Sequence, residues 1–337
     1  MKRICFFCVL FAVCLSFNSC NDEWKNELYQ NYASFKAILN SEGVSDIYIR
    51  YNPEGDASYR LPVLISGSQK QQSNLKIKVG VDNDTLAILN QEKYFDRSDL
   101  YFRQLPEQFF SFESDVCPIA AGQNSGIFPI NFNLTGLDLV DDWVLPLQII
   151  AAPSYVNNEY LGRDKALLNI NLFNDYSGIY SATALLVYFK GSNRNPITAD
   201  IRRAKVVDEN SVFIYAGTIS ERDMNRKLYK IIIRFEPGTE LDDENNTITG
   251  PVTLIPGDEE NRINLNTTGD CTYEIKKVSD VKKPYLLHYY VTIKLNYDYD
   301  DITSNPEKAI TYSAKGTLTM ERQINTLIPD EDQAIQW

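Results

Sequence analysis

Side chains that could run a reaction are scarce in this 337-residue chain, and their spacing argues against catalysis. The single histidine, His288, lies inside a strand-like run. One imidazole excludes a histidine-rich zinc site and leaves one general base for any Ser/His/Asp or Cys/His arrangement, so His288 reads as structural. Of six cysteines, Cys5, Cys8, Cys14 and Cys20 lie within the first twenty residues, leaving Cys117 and Cys271. Two cysteines so far apart make neither a metal cluster nor a disulfide framework; they are buried thiols or one bridge between domains. Glycoside hydrolysis needs two carboxylates about 5–10 Å apart, and among 45 acidic residues nearness in sequence discriminates nothing. Asp242-Asp243-Glu244 and Asp258-Glu259-Glu260 sit among turn residues, where acids are solvated. No glycine-rich phosphate loop and no Gly-x-Ser-x-Gly elbow occurs. Asp298, Asp300 and Asp301, at a strand end and its turn, are oxygen donors of the kind calcium takes, without the EF-hand spacing. No cofactor is otherwise expected.

Binding chemistry is better represented. Sugar rings present apolar C–H faces that stack on aromatic rings, while amides, carboxylates and guanidinium groups meet the hydroxyls. The chain has 21 tyrosines and three tryptophans. Tyr297 and Tyr299, on the apolar side of a strand near its end, are the first candidate platform. Tyr155 and Tyr160, in a loop, come next. Trp337 is either a mobile tail or a ring packed on the fold. Trp143 belongs with a core strand, and Trp24 lies ahead of the first strand.

The elements that would position these residues are strands. Leu75, Ile77, Val79 and Val81 alternate with Lys76, Lys78 and Gly80, the pattern of a strand with one buried face. Ile47/Ile49, Phe128–Leu134, Leu145–Ile149 and Leu168–Leu172 repeat it, with no long helical pattern between them. An all-β sandwich follows. After Asn174-Asp175 a second series starts, ending in Tyr289–Tyr299 and Tyr312–Arg322, which predicts an antiparallel barrel or closed sandwich.

The N-terminus has Lys2 and Arg3, an apolar run from Ile4 to Phe17, then Asn18-Ser19-Cys20 and the acidic pair Asp22-Glu23. The run is too short to span a bilayer and reads as a secretory signal. Leu15-Ser16-Phe17-Asn18-Ser19-Cys20 resembles the loose lipobox of Bacteroidetes lipoproteins, which implies cleavage before Cys20 and its lipidation. The following acids resemble the signal that sends such proteins to the outer cell face. Removing 19 residues takes Lys2 and Arg3 and leaves 31 basic against 45 acidic side chains, a formal charge of −14 on 318 residues. Such a chain lacks the basic surface that nucleic acid or anionic headgroups require.

Further motifs carry a second resemblance. Tyr59-Arg60-Leu61-Pro62, Leu75-Lys76-Ile77-Lys78-Val79, Asp82-Asn83-Asp84, Tyr101 to Pro106 and Trp143-Val144-Leu145-Pro146-Leu147 occur in order. They resemble the N-terminal domain of unknown function in Bacteroidetes lipoproteins of glycan-utilisation loci. Phe173 to Tyr180 and Tyr312 to Arg322 resemble its companion domain, and Ser177-Gly178-Ile179-Tyr180 is similar to a lipocalin-like opening. The expected layout is a signal peptide (1–19), a lipidated tether (20–35), an immunoglobulin-like β-sandwich (36–173), a C-terminal barrel-like domain (174–330) and a tail (331–337). The resemblance implies a non-catalytic, cell-surface, outer-membrane lipoprotein, held to the membrane by its lipid alone. It would bind an oligo- or polysaccharide and support its capture for an outer-membrane importer. A glycoside hydrolase or accessory enzyme, and a structural or adhesive surface subunit, are the alternatives.

Overall fold

The computed structural model describes residues 31–67, 73–192, 194–242, 247–305 and 307–337. Cys20, Trp24 and the signal segment lie outside the described residues, as do Asp243 and Glu244. Strands up to Phe173 form a two-sheet sandwich. In one sheet Asp56–Ser66 pairs antiparallel with Tyr32–Phe35 and with Ser125–Asn133. In the other, Lys165–Phe173 lies between Ser45–Arg50, to which it runs parallel, and Trp143–Ile150, which in turn pairs with Leu75–Val81. The alternation read from the sequence sets the inner faces: Leu61, Val63, Phe128, Ile130, Leu145, Leu147, Leu168 and Ile170 are all buried in one core. Each such side chain contributes about 1.5–3 kcal/mol by leaving water. Trp143 is half-buried at the edge of this core, its Nε1 donating to the Asp138 carbonyl at 2.8 Å.

Three expectations are corrected. The first strand starts at Tyr32, inside the expected tether. The first half also holds an α-helix, Thr85–Tyr94, of which only Leu86 and Asn90 are buried. So little of it faces the core that no 3.6-residue apolar pattern marks it. Its start is held by Asp82, whose carboxylate accepts from the backbone N–H of Asp84 (3.0 Å) and Thr85 (3.2 Å) and pairs with Lys165 at 3.1 Å. Third, the segment expected as a tail is packed: Ile335–Gln336 pairs with Gln323 and Ile324 of the last long strand.

After the turn at residues 174–177, eight strands close a barrel: Gly178–Ser181, Ile201–Asp208, Ser211–Tyr215, Lys230–Phe235, Thr247–Pro256, Thr272–Ser279, Leu286–Asp301 and Ile310–Asn325. Each pairs antiparallel with the next, and the last returns to the first through Ser181 and Thr319. Closure removes the sheet edges. The interior is filled by side chains, with Tyr180, Tyr229, Tyr297 and Tyr299 among the largest fully buried ones. Their hydroxyls are satisfied at the barrel ends: Tyr180 donates to the Tyr176 carbonyl (2.6 Å) and Tyr229 to Asp301 (2.8 Å). Cys117 in the sandwich core and Cys271 in the barrel core are free, buried thiols, and burial pushes Cys117 up to about 11.

The two halves share a packed interface. Val206, Phe213 and Tyr215, on barrel strands, join the sandwich core. Around them Lys205 pairs with Asp142 (2.7 Å), Lys230 with Asp138 (3.1 Å), and Arg50 with Asp175 (2.9 Å) and Asp332 (2.5 Å).

Candidate functional site

Between sandwich and barrel lies a cleft of about 320 Å³, at the low end of the size range of small-molecule sites. Its sandwich wall comes from two strands in parallel register, which sets Tyr48 beside Asn171 and Asp46 beside Asn169. Ile47 and Ile49 point into the core, so strand alternation turns Asp46 and Tyr48 outward. The floor is Ser177-Gly178-Ile179, the first barrel strand with its lead-in. A Cβ at Gly178 (φ +147) would overlap the Met320 sulfur, so glycine is needed there. Barrel strands on either side of Gly178–Ser181 bring Arg203 and Arg322.

An aromatic stack marks this cleft. Tyr48 and Trp337 lie face to face, 4.1 Å between centroids and 5° from parallel, and Phe173 meets Trp337 edge-on at 4.8 Å. Pairing of Ile335–Gln336 with the last barrel strand is what holds Trp337 against the sandwich. Both stacked residues stay well exposed, Tyr48 at 40% and Trp337 at 51%. The Arg322 guanidinium lies 5.3 Å from the Trp337 ring centre, a cation–π contact. A second, more polar recess of about 270 Å³ adjoins the cleft, sharing Asp46, Asp142, Arg203 and Lys205.

His288 stands behind the cleft residue Glu321. Its Nδ1 lies 2.6 Å from Glu321 Oε1 and its Nε2 3.1 Å from Asp280 Oδ2. The Glu321 contact, then the Asp280 contact, raises the imidazole above its usual 6.5. A raised folded value favours the imidazolium: its stabilising contribution is complete below about pH 6.5 and fades as pH rises through the folded value. NMR titration of this sole histidine is expected to give a midpoint above 6.5 in the folded protein, falling toward 6.5 in Glu321→Gln. A wild-type midpoint at or below 6.5 would show that the carboxylate clamp does not form.

Residues 24–153 match the model of a domain of unknown function (DUF4973), and residues 164–319 match a model described as "-like, C-terminal". A protein of unknown function from Bacteroides ovatus has 36% identity to this chain and a TM-score of 0.80, covering 91% of this chain and 100% of its own. The chain belongs to this two-domain family. Another member, described as an auxiliary nutrient binding protein from Bacteroides thetaiotaomicron, is 35% identical over 90% of this chain and 98% of its own, with a TM-score of 0.78. A third, a Bacteroides ovatus protein of unknown function, is 33% identical over 93% and 97% of the two chains, with a TM-score of 0.77. The two family models name no reaction. No curated protein matches the chain.

Within this family fold the residues singled out from sequence scatter. Trp337 lies in the cleft. Tyr297 and Tyr299, expected as a platform, are 0% and 1% exposed. The strand end does not open to solvent, because the turn at 216–218 folds across it. There the Gly217 N–H donates to the Tyr297 hydroxyl at 2.9 Å, and the Tyr299 ring packs under Gly217. Tyr155, at 6% exposure, is not a platform either: its hydroxyl donates to the Ile150 carbonyl (2.6 Å) and accepts from the Lys78 N–H (3.0 Å), stitching two strands. Tyr160 is exposed, with Arg163 over its ring, beside a wide, open depression on the sandwich that also borders Tyr32 and Asn157. Asp298, Asp300 and Asp301 face separate partners: Lys190 and Ser313, Asn264 and Thr311, and Tyr229 with the 303–304 N–H groups. Among the described residues no three acidic, histidine or cysteine side chains are grouped to hold a metal.

Sequence reading missed Tyr48, Arg203 and Arg322. For Tyr48 a signal exists, an aromatic residue on the polar side of an alternating strand. Arg322 continues the buried register of Ala314, Leu318 and Met320, where a charge is out of place. Arg203, on an outward-facing position, carries no signal.

Proposed function

We propose that this protein binds a nutrient glycan in the cleft between sandwich and barrel, as a surface lipoprotein anchored through Cys20 and working beside an outer-membrane importer. The observation that carries the reading is the Tyr48–Trp337 stack, two rings parallel and half open to solvent on a concave surface that also bears guanidinium, amide and carboxylate groups. Rings so placed suit the apolar face of a pyranose, and the polar rim suits its hydroxyls. A family member described as an auxiliary nutrient binding protein supports the reading. The carboxylates lining the cleft are engaged by cations or amides in the fold, which supports binding over hydrolysis. One cleft need not be tight: a Kd near 1 mM is about −4 kcal/mol, and many anchored copies add avidity.

Calorimetry against a panel of plant and host oligosaccharides tests the reading. Trp337→Ala is expected to weaken binding at least about tenfold, the loss of an aromatic anchor worth ~1.4 kcal/mol or more, with the fold retained. Chromatography of the incubated glycans is expected to show no shortened products. The reading fails if no glycan binds the folded protein, or if Trp337→Ala binds as well as wild type. Mass spectrometry of the native amino terminus is expected to find an acylated Cys20.

A further inference from the structure

The carboxylates of the cleft all have partners within the fold, whereas two of its guanidinium groups have no ion pair. Asp142 is paired with Lys205 at 2.7 Å, and Asp141 with Lys227 at 3.0 Å and Arg226 at 3.6 Å. Glu321 faces His288 at 2.6 Å. Asp46 accepts from the side-chain amides of Asn40 (2.6 Å), Asn169 (2.7 Å) and Asn171 (3.0 Å). Those amides hold Asp46 in place without neutralising it, and Arg322 on its side has no carboxylate in contact. It is 6% exposed, and one terminal nitrogen donates to the carbonyls of Asn174 (3.1 Å) and Ser177 (2.7 Å). Among the described residues no carboxylate comes within ion-pairing distance of it: Asp175, already paired with Arg50, acts on it only from farther away, and the Trp337 and Phe173 rings flank the guanidinium. Arg203 is exposed on the same cleft, and its side chain makes no hydrogen bond or ion pair among the described residues.

A buried cation without a counter-charge costs free energy, which an incoming anion would recover. Two guanidinium groups are the donors best shaped to meet a planar or tetrahedral oxyanion through paired N–H bonds. The chain's net charge of −12 opposes an anion only at long range, where salt screens it beyond about 8 Å, whereas guanidinium contact is short-range.

We infer that the glycan taken by this cleft is anionic: it carries a carboxylate or sulfate group that meets Arg203 and Arg322 while its ring lies on the Tyr48–Trp337 stack. This rests on the cleft being the glycan site and names the class of sugar it takes. The anion completes the charge of Arg322, and the stack supplies the orientation of the ring.

Matched pairs of probes test it by calorimetry at low and at physiological salt: tetragalacturonate against its methyl ester, and a sulfated galacto-oligosaccharide against its desulfated form. The anionic member of at least one pair is expected to bind at least tenfold tighter than its neutral partner, with an advantage that shrinks as salt rises. Which pair responds distinguishes carboxylate from sulfate. Arg203→Gln, an exposed position whose replacement leaves the fold intact, is expected to erase most of that advantage, and Trp337→Ala to weaken both members alike. If neutral and anionic members bind equally, or only neutral glycans bind through Trp337, the charge assignment falls and the nutrient-binding reading stands. If the folded protein binds no glycan of either kind, both fall. An anionic preference untouched by Arg203→Gln would also overturn the assignment.

Discussion

Gly316→Ala is expected to destabilise the protein by about 4 kcal/mol, combining ~1–3 kcal/mol of backbone strain with a similar steric cost. Gly316 lies in the longest barrel hairpin, opposite Leu295 on one side and Leu185 on the other, at φ +140. Just beyond it the neighbour on that second side changes from Leu185–Phe189 to Gly178–Ser181, and the chain turns the corner through residues 182–184. The carbonyl oxygen of Ala184 occupies the space a Cβ would need, and it is backbone, so it cannot swing away as a side chain would. Glycine lets the corner close, and the corner lets the last strand pair with the first. Urea denaturation followed by circular dichroism measures the loss. Gly122→Ala is the control: it also has positive φ (+80) but nothing within 4 Å, so a cost of only about 1 kcal/mol is expected. Equal midpoints for the two variants would show that the Ala184 corner is not closed on Gly316.

Tyr297→Ala should be nearly as damaging, at about 3–5 kcal/mol, the range for removing a large aromatic ring from a packed core. The Tyr297 ring is fully buried beside Tyr299, with centroids 6.1 Å apart. Tyr297→Phe keeps the ring but orphans the Gly217 N–H, for about 1–3 kcal/mol. Neither change should alter the affinity of the proposed cleft site per folded molecule, since the ring is sealed from solvent. Thermal melts and calorimetry on the same preparations separate the two effects. Lost binding in Tyr297→Phe without a lowered melting temperature would place the ring at the ligand.

Tyr297 and Trp337 differ in what covers them. Both are aromatic residues near strand ends, and both are plausible platforms by type alone. One is capped by a turn; the other is pinned by a short strand against Tyr48 of the opposite module. The packed, ion-paired interface holds sandwich and barrel at one angle, which the Tyr48–Trp337 stack needs to keep its geometry.

The sequence alone sets the architecture. Period-two alternation in runs such as Leu75–Val81 and Tyr312–Arg322 specifies strands and their buried sides, because successive side chains on a strand point to opposite faces. It also determined that imidazole chemistry is confined to His288. It could not reveal the helix Thr85–Tyr94, which buries too little to leave a pattern. Which aromatic rings meet solvent is settled by three-dimensional packing. Alternation separates two faces of a strand but does not say what covers its end, and that depends on contacts between residues far apart: Gly217 over Tyr297, eighty positions away, or Trp337 against Tyr48, nearly three hundred. The pairing of charges was decided there too. Forty-five carboxylates and 33 cations permit countless pairings on paper, and it is the packing of barrel on sandwich that satisfies Lys205 and Lys230 while leaving Arg203 and Arg322 without a partner carboxylate.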